Sequence, residues 1–117
     1  MQRIEVGGDG VTLTHVTEPR YSVFGNLVSP GHTSVSELSW DEVCRIGLTT
    51  VHWDPAKPPQ ACLVIDLTYG EFFEITDDAE GFGAAVRELC RRYGMAVPDH
   101  RHLPADGVDI LPFPIGD

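Results

Sequence analysis

Residues 61–94 read ACLVIDLTYGEFFEITDDAEGFGAAVRELCRRYG, and this stretch decides the fold. Its first part has the alternating pattern of a strand, whose apolar face holds Ala61, Leu63, Ile65, Leu67 and Tyr69. Tyr69-Gly70 predicts a two-residue turn. Residues 71–76 return as a second strand, whose inward side chains are Phe73 and Ile75. The first part of the stretch therefore predicts a β-hairpin.

The second part predicts an amphipathic helix over residues 78–93. Its apolar residues recur at helical spacing and form one stripe: Phe82, Val86, Leu89, Cys90 and Tyr93. The expected start signals are a capping carboxylate and an acid in the first turn: Asp77 or Asp78, then Glu80. The expected stop signals are two cations and a glycine: Arg91, Arg92 and Gly94.

The first third of the chain predicts β-structure. Alternating apolar residues indicate strands at residues 4–6 and 11–16, and the glycine-rich residues 7–10 between them predict a turn. β-forming residues also fill positions 20–24. The polar, turn-forming residues 29–37 predict a loop.

Residues 39–42, Ser-Trp-Asp-Glu, fit the capping-box pattern and predict one helical turn or a short helix before a strand at residues 45–51. Three prolines make residues 52–59 a loop. Four more prolines lie in residues 95–117 and favour an extended segment. We therefore expect one domain over residues 1–94, with the extended Pro-rich C-terminal segment packed on it.

Antiparallel strands followed by one amphipathic helix predict an α+β domain. The order SWDEVCRIGLTT at residues 39–50, then a hairpin, then Glu-Gly-Phe…Val…Glu-Leu at residues 80–89 resembles small bacterial pleckstrin-homology-like domains. The resemblance covers roughly residues 11–93. It implies a strongly bent antiparallel sheet or partial barrel with a C-terminal helix, used as a binding scaffold and usually without catalysis. It does not imply phosphoinositide recognition, because the basic loop residues are missing.

The charge balance excludes several partners. Eighteen acidic residues against eight basic ones give a formal net charge of −10. Nucleic acid and anionic membranes are disfavoured, because both bind through cations. A basic protein partner is favoured by complementary charge, although net charge also simply keeps a small protein soluble. The first residues lack a long apolar stretch, so we expect a cytoplasmic protein.

Motifs that carry catalysis are missing from the sequence. There is no Gly-x-Ser-x-Gly, no phosphate-cradling glycine loop with Lys and Ser or Thr, and no Cys-x-x-Cys. Three widely spaced thiols, Cys44, Cys62 and Cys90, each sit in an apolar pattern and are expected to be free. We expect no cofactor.

Two stretches are candidate binding sites. His52, Trp53 and Asp54 follow a strand, and Trp53 either anchors a partner or closes the end of the core. The other stretch is acidic and is either a docking face or the solvated side of a hairpin and helix: Asp66, Glu71, Glu74, Asp77, Asp78 and Glu80.

A third candidate is a metal site. His100 and His102 are two residues apart, so on an extended segment both imidazoles point the same way, with Asp99 and Asp106 nearby. The alternative is an ordinary exposed polar segment, since Arg101 places a positive charge between the two ligands.

These observations leave three hypotheses open. The first is a non-catalytic interaction domain that binds a protein partner through an acidic face, in its specific form an immunity-type protein that neutralises a basic toxin. The second is a small metal-binding protein or enzyme using His100 and His102. The third is a homodimer in which a sheet edge or the apolar residues 110–115 pair with a second copy.

Overall fold

The computed structural model describes residues 1–52, 55–99 and 102–112. Within these ranges the elements follow in this order: β1 Gln2–Val6, β2 Gly10–Thr17, β3 Arg20–Tyr21, β4 Leu27–Ser29, β5 His32–Ser39, β6 Val43–Val51, β7 Gln60–Leu67, β8 Phe72–Thr76, α1 Phe82–Arg92 and β9 Val108–Leu111.

The N-terminal sheet has the strand order β1-β2-β5 and is antiparallel throughout. All eight residues of β2 pair with β5, from Gly10 opposite Ser39 to Thr17 opposite His32. The expectation of a loop over residues 29–37 is therefore wrong. Leu38 is the single buried side chain of β5, so the strand lacks the apolar alternation that would have identified it. Pairing with β2 makes it a strand nonetheless.

A long hairpin links β2 and β5, and its distal part is the small β3–β4 sheet. We call residues 18–31 the arm. The β-forming residues 20–24 extend as a strand only at Arg20 and Tyr21, because the chain then turns. In this turn the hydroxyl of Ser22 accepts hydrogen bonds from two backbone amides, those of Phe24 and Asn26.

The C-terminal sheet has the order β8-β7-β6-β9 and is also antiparallel. It confirms the strands expected at residues 45–51 and 61–68 and the return at residues 71–76. Strand β9 adds a pairing that the sequence did not indicate, with Val108 opposite Leu48.

Arg45 joins three strands of this sheet. Its guanidinium lies 3.2 Å from the Asp66 carboxylate on β7 and 3.0 Å from that of Asp109 on β9. Burial of the guanidinium opposes its charge, but the hydrogen bonds that it donates to these two carboxylates raise the pKa of Arg45 overall. The side chain therefore clamps β9 to the body as a cation.

The capping box at residues 39–42 does not start a helix. Residues 40–42 form a tight turn between β5 and β6, in which the Glu42 amide donates to the Ser39 carbonyl at 3.0 Å. No apolar stripe follows this segment, so the capping signal has no helix to start.

Helix α1 begins at Phe82, later than expected, and Gly81 is its N-cap residue without a side-chain cap. The predicted caps Asp77 and Asp78 are therefore wrong. Asp77 accepts a hydrogen bond from the Ala61 amide at 3.1 Å, so its carboxylate binds the backbone at the start of β7.

Glu80 lies outside the helix, and its placement in the first turn is also wrong. Its backbone bonds to β1 instead: the Ile4 amide donates to the Glu80 carbonyl, and the Glu80 amide donates to the Gln2 carbonyl, both at 2.9 Å. Gly81 then turns the chain at φ +83°, where an added Cβ would lie 2.5 Å from the Ile4 carbonyl oxygen. This close approach delays the helix to Phe82.

The stripe of α1 is confirmed, because Phe82, Val86, Leu89 and Cys90 are buried and Tyr93 is half-buried. Arg91 and Arg92 occupy the last turn, as expected. The core combines this stripe with apolar side chains of both larger sheets: Ile4, Val11, Leu13, Leu38, Ile46, Leu48, Leu63, Ile65, Ile75 and Ile110. The fold is α+β, and across the described ranges its sheets do not close into a barrel.

Candidate functional site

The predicted acidic stretch is partly committed to contacts within the protein. The Glu80 carboxylate accepts hydrogen bonds from two nitrogens of Arg3. Its Oε2 lies 3.2 Å from Nε and 3.0 Å from Nη2. Asp66 pairs with Arg45, and Asp77 holds the backbone of Ala61. These three carboxylates have structural partners, so they offer less charge to an incoming ligand than the sequence suggests.

The other members of the stretch are exposed. Asp78 accepts a hydrogen bond from the hydroxyl of Thr76, and Glu71 lies at the β7–β8 turn. Glu74 lies on the edge strand β8, where it lines a cavity of about 220 Å³ together with Arg3 and His15. The stretch is thus spread over a hairpin and a loop.

His52 and the loop after it belong to the second predicted site. The Nε2 of His52 lies 2.9 Å from the Lys57 carbonyl oxygen. A carbonyl oxygen only accepts, so the imidazole ring donates a hydrogen bond to the loop that follows β6. Trp53 and Asp54 lie outside the described residues. The hydrogen bond to Lys57 therefore fixes the position of the His52 ring.

The predicted metal site is described only in part. His102 lies 3.9 Å from the Asp99 carboxylate, measured from Nε2 to Oδ2. His100 lies outside the described residues. Among the residues that the structure does describe, no group of three or more His, Cys, Asp or Glu side chains is placed to hold a metal ion.

A site that the sequence did not indicate lies at the opposite end of the N-terminal sheet from the arm. A cavity of about 470 Å³ opens between the loop at residues 7–10, the end of β5 and the turn that follows it. Four carboxylates line it: Glu5, Asp9, Glu37 and Glu42. Its lining residues include no Lys, Arg or His. We call it the acidic cavity.

The glycine loop forms one wall of the acidic cavity. The Gly7 amide donates to the Gly10 carbonyl at 2.9 Å, which closes the turn expected at residues 7–10. A Cβ added to Gly10 would lie 1.9 Å from the Leu38 carbonyl oxygen. Only glycine lets the loop approach β5 this closely.

Trp40 fixes this wall to the rest of the molecule. Its indole Nε1 donates to the Gly8 carbonyl at 2.9 Å, and its amide donates to the Asp9 carbonyl at 3.3 Å. On its other side, the Arg92 guanidinium lies 3.9 Å from the ring centre, and Tyr93 meets the indole edge-on at 6.4 Å. Trp40 is half-buried and packs against the hydrophobic core.

The electrostatics of the acidic cavity favour a cation. Among ion pairs of the described residues, the one that reaches its lining joins Glu5 to Arg3 at 3.8 Å, and Arg3 also serves Glu80. Asp9 and Glu37 are exposed and Glu42 is half-buried. The carboxylates therefore present concentrated negative charge in a concave site, where a positive group can make charge-assisted hydrogen bonds.

Sequence reasoning missed this site because its carboxylates come from three separated parts of the chain. Glu5 precedes the glycine loop and Asp9 lies within it. Glu37 lies on β5, within residues that the sequence predicts as a loop, and Glu42 lies in a turn that the sequence predicts as a helix start. The available signal was the acid within Gly-Gly-Asp-Gly, which indicates a turn unsuited to phosphate.

Within the described ranges, no helix has the length and apolar character needed to cross a membrane. Searches against protein-family models, curated proteins and solved structures found no match to this chain.

Proposed function

We propose that this protein is a non-catalytic interaction domain that binds a basic protein partner, and that the acidic cavity is the point of contact. The observation that carries the proposal is the convergence of Glu5, Asp9, Glu37 and Glu42 on one cavity whose lining includes no basic side chain. A carboxylate group of this kind forms charge-assisted hydrogen bonds with an arginine or lysine side chain.

The shape and support of the cavity suit a projecting side chain. Its volume of about 470 Å³ exceeds that of a single amino-acid side chain, so an arginine or lysine enters with neighbouring residues of the partner. Trp40 holds the glycine loop in place before binding. A site that is already ordered loses less entropy when the partner binds.

The net charge of −10 supports a protein partner over a nucleic acid. It also speeds the encounter with a basic partner over longer distances. The resemblance to pleckstrin-homology-like domains adds a binding scaffold as the proposed role of the fold. The specific form of the proposal is an immunity-type protein whose partner is a basic toxin, since neutralising a cationic enzyme needs an anionic surface.

A charge-matched pair of variants tests the proposal. Isothermal titration calorimetry with hexa-arginine as the probe compares the wild type with Asp9→Lys/Glu42→Lys. The control, Glu71→Lys/Asp106→Lys, makes the same change of four charges, from −10 to −6, at exposed positions outside the cavity. Circular dichroism confirms that both variants fold.

We expect the cavity variant to lose at least tenfold in affinity and the control to lose much less. Raising the salt concentration should weaken wild-type binding and leave the cavity variant nearly unaffected. Equal losses in both variants would show that hexa-arginine responds to net charge alone. That result, or no binding to the wild type, would overturn the proposal.

A further inference from the structure

The arm carries half of the large exposed apolar side chains in the described part of the chain. Val23 is 95% exposed and Phe24 is 86% exposed. Strands β3 and β4 pair with each other and with no other described strand. The exposed apolar residues of the arm are Tyr21, Val23, Phe24, Leu27 and Val28, and Val35 on the adjoining strand β5 is also exposed. A patch of this kind is typical of an interaction surface.

Residues 19–36, which span the arm after Glu18 and the first part of β5, carry no acidic residue. None of the eighteen carboxylates of the chain falls between Glu18 and Glu37, and Arg20 is the one Lys or Arg in that interval. In a protein of charge −10 this is the surface where a second acidic molecule can approach without repulsion. A basic partner finds no carboxylate here.

Strand β5 offers an open edge beside this surface. It ends the order β1-β2-β5, and within the described residues the backbone of positions 33–38 makes no hydrogen bond other than those to β2. The opposite edge of the sheet is different, because the backbone of Glu80 bonds to β1 there. Eight residues without proline and with one carboxylate, Glu37, form an edge ready to pair with another strand.

We propose that a second copy of this chain occupies that edge, with the two β5 strands pairing antiparallel about a two-fold axis. A two-fold axis matches each strand to itself in the reverse direction. The arm of each copy then lies beside the Ser39 end of the other copy. With the axis near Thr33, Ser29 of one copy lies opposite Glu37 of the other. Arg20, which pairs with Ser29, then lies two strand spacings, roughly 10 Å, from that carboxylate, within reach of an extended arginine side chain.

The arm supplies the apolar area that such a dimer needs. Standard interfaces bury about 800 Å² per partner. Phe and Tyr side chains each bury about 150–250 Å², so two rings and four aliphatic side chains per copy are of that order. The pairing shares Glu37 with the acidic cavity, but Asp9 and Glu42 play no part in it. Asp9→Lys/Glu42→Lys should therefore lose hexa-arginine binding and still form the dimer, so the two proposals can fail separately.

Sedimentation velocity over a concentration series of the full chain tests the dimer. We expect the wild type to approach twice its mass of 12.8 kDa at high concentration. Val23→Ser/Phe24→Ser should raise the dimer dissociation constant at least tenfold. The matched control, Tyr69→Ser/Phe72→Ser, removes two exposed aromatic residues outside the arm and should leave it unchanged.

A charge exchange separates pairing from loss of folding. Arg20→Glu and Glu37→Arg should each weaken the dimer, and the double variant should restore it. Within one copy the two positions lie about eight residues apart along the hairpin, roughly 27 Å, so an internal ion pair cannot explain the rescue.

Three outcomes would overturn the proposal. The wild type could remain a monomer at 100 µM, or it could form a dimer that ignores both the arm variant and the charge exchange. Alternatively, a monomeric wild type could bind phosphatidylcholine vesicles through Phe24, which would assign the arm to a lipid surface.

Discussion

The indole of Trp40 donates a 2.9 Å hydrogen bond to the carbonyl of Gly8, thirty-two residues earlier in the chain. The same ring is covered by Arg92 from the last turn of α1. One side chain thus connects the glycine loop, the turn between the two larger sheets and the end of the helix. The shape of the acidic cavity depends on this connection.

Trp40→Phe should lower the free energy of unfolding by about 1 kcal/mol, because the hydrogen bond to Gly8 is lost while most of the ring contact remains. Urea denaturation measures the change. Hydrogen exchange should also become faster at the Gly10 amide and its neighbours in the loop. An unchanged unfolding free energy together with unchanged exchange would mean that the indole does not hold the loop.

Gly81→Ala should destabilise the protein more than Gly70→Ala. Both glycines have a left-handed backbone, at φ +83° and +90°, so both substitutions cost about 1 kcal/mol or more in strain. At position 81 the new Cβ also meets the Ile4 carbonyl at 2.5 Å, whereas nothing lies within 4 Å at position 70. Thermal denaturation should place the Gly81 variant at the lower melting temperature; the reverse order would contradict the packing of the helix start against β1.

Stability should fall at alkaline pH because of Cys62. Burial, assisted by the negative charge of Glu74, raises the pKa of its thiol from 9.0 to about 11. Between these values the native thiol holds its proton while the unfolded thiol has lost it. The native state then binds more protons, so unfolding becomes easier as the pH rises from about 9 to 11.

Urea denaturation of the wild type and Cys62→Ala at pH 8, 9.5 and 10.5 isolates this contribution. The substitution removes the thiol, so the cost of the variant should shrink as the pH rises. A cost that stays constant across the three pH values would show that Cys62 titrates alike in both states.

Arg45→Met should loosen β9. The guanidinium holds Asp109 on that strand and Asp66 on β7, and each partly exposed pair is worth about 1 kcal/mol at most. Amide exchange in β9 should accelerate more than amide exchange in β8, which Arg45 does not contact through either ion pair. Arg87→Met, on the exposed side of α1, is the matched control. Equal protection of β9 in both variants would rule out the clamp.

The hairpin and helix stripe of residues 61–94 were predictable because each carries its own pattern. Alternation identified β7, and the helical spacing of Phe82, Val86 and Leu89 identified the buried side of α1. Strand β5 was not predictable, since its partner β2 rather than an apolar pattern of its own makes it a strand. The helix start was misplaced because Asp77 and Glu80 bond to distant backbone, which no local signal reports.

The acidic cavity was beyond sequence reasoning for a related reason. Composition showed that the protein is acidic, but the adjacent acids of residues 74–80 looked like the natural cluster. Folding gave Asp77 and Glu80 internal partners and brought Asp9 together with Glu37 and Glu42. A site assembled by long-range strand pairing leaves no continuous signature along the chain.

Amide chemical-shift mapping by NMR during a hexa-arginine titration tests the central claim most directly. The claim predicts saturable shifts at Gly7, Gly8 and Gly10 and at the indole proton of Trp40, all lost in Asp9→Lys/Glu42→Lys. Shifts confined to residues 71–80 would instead assign binding to the hairpin face. Either that pattern or an unresponsive glycine loop would contradict the acidic cavity as the binding site.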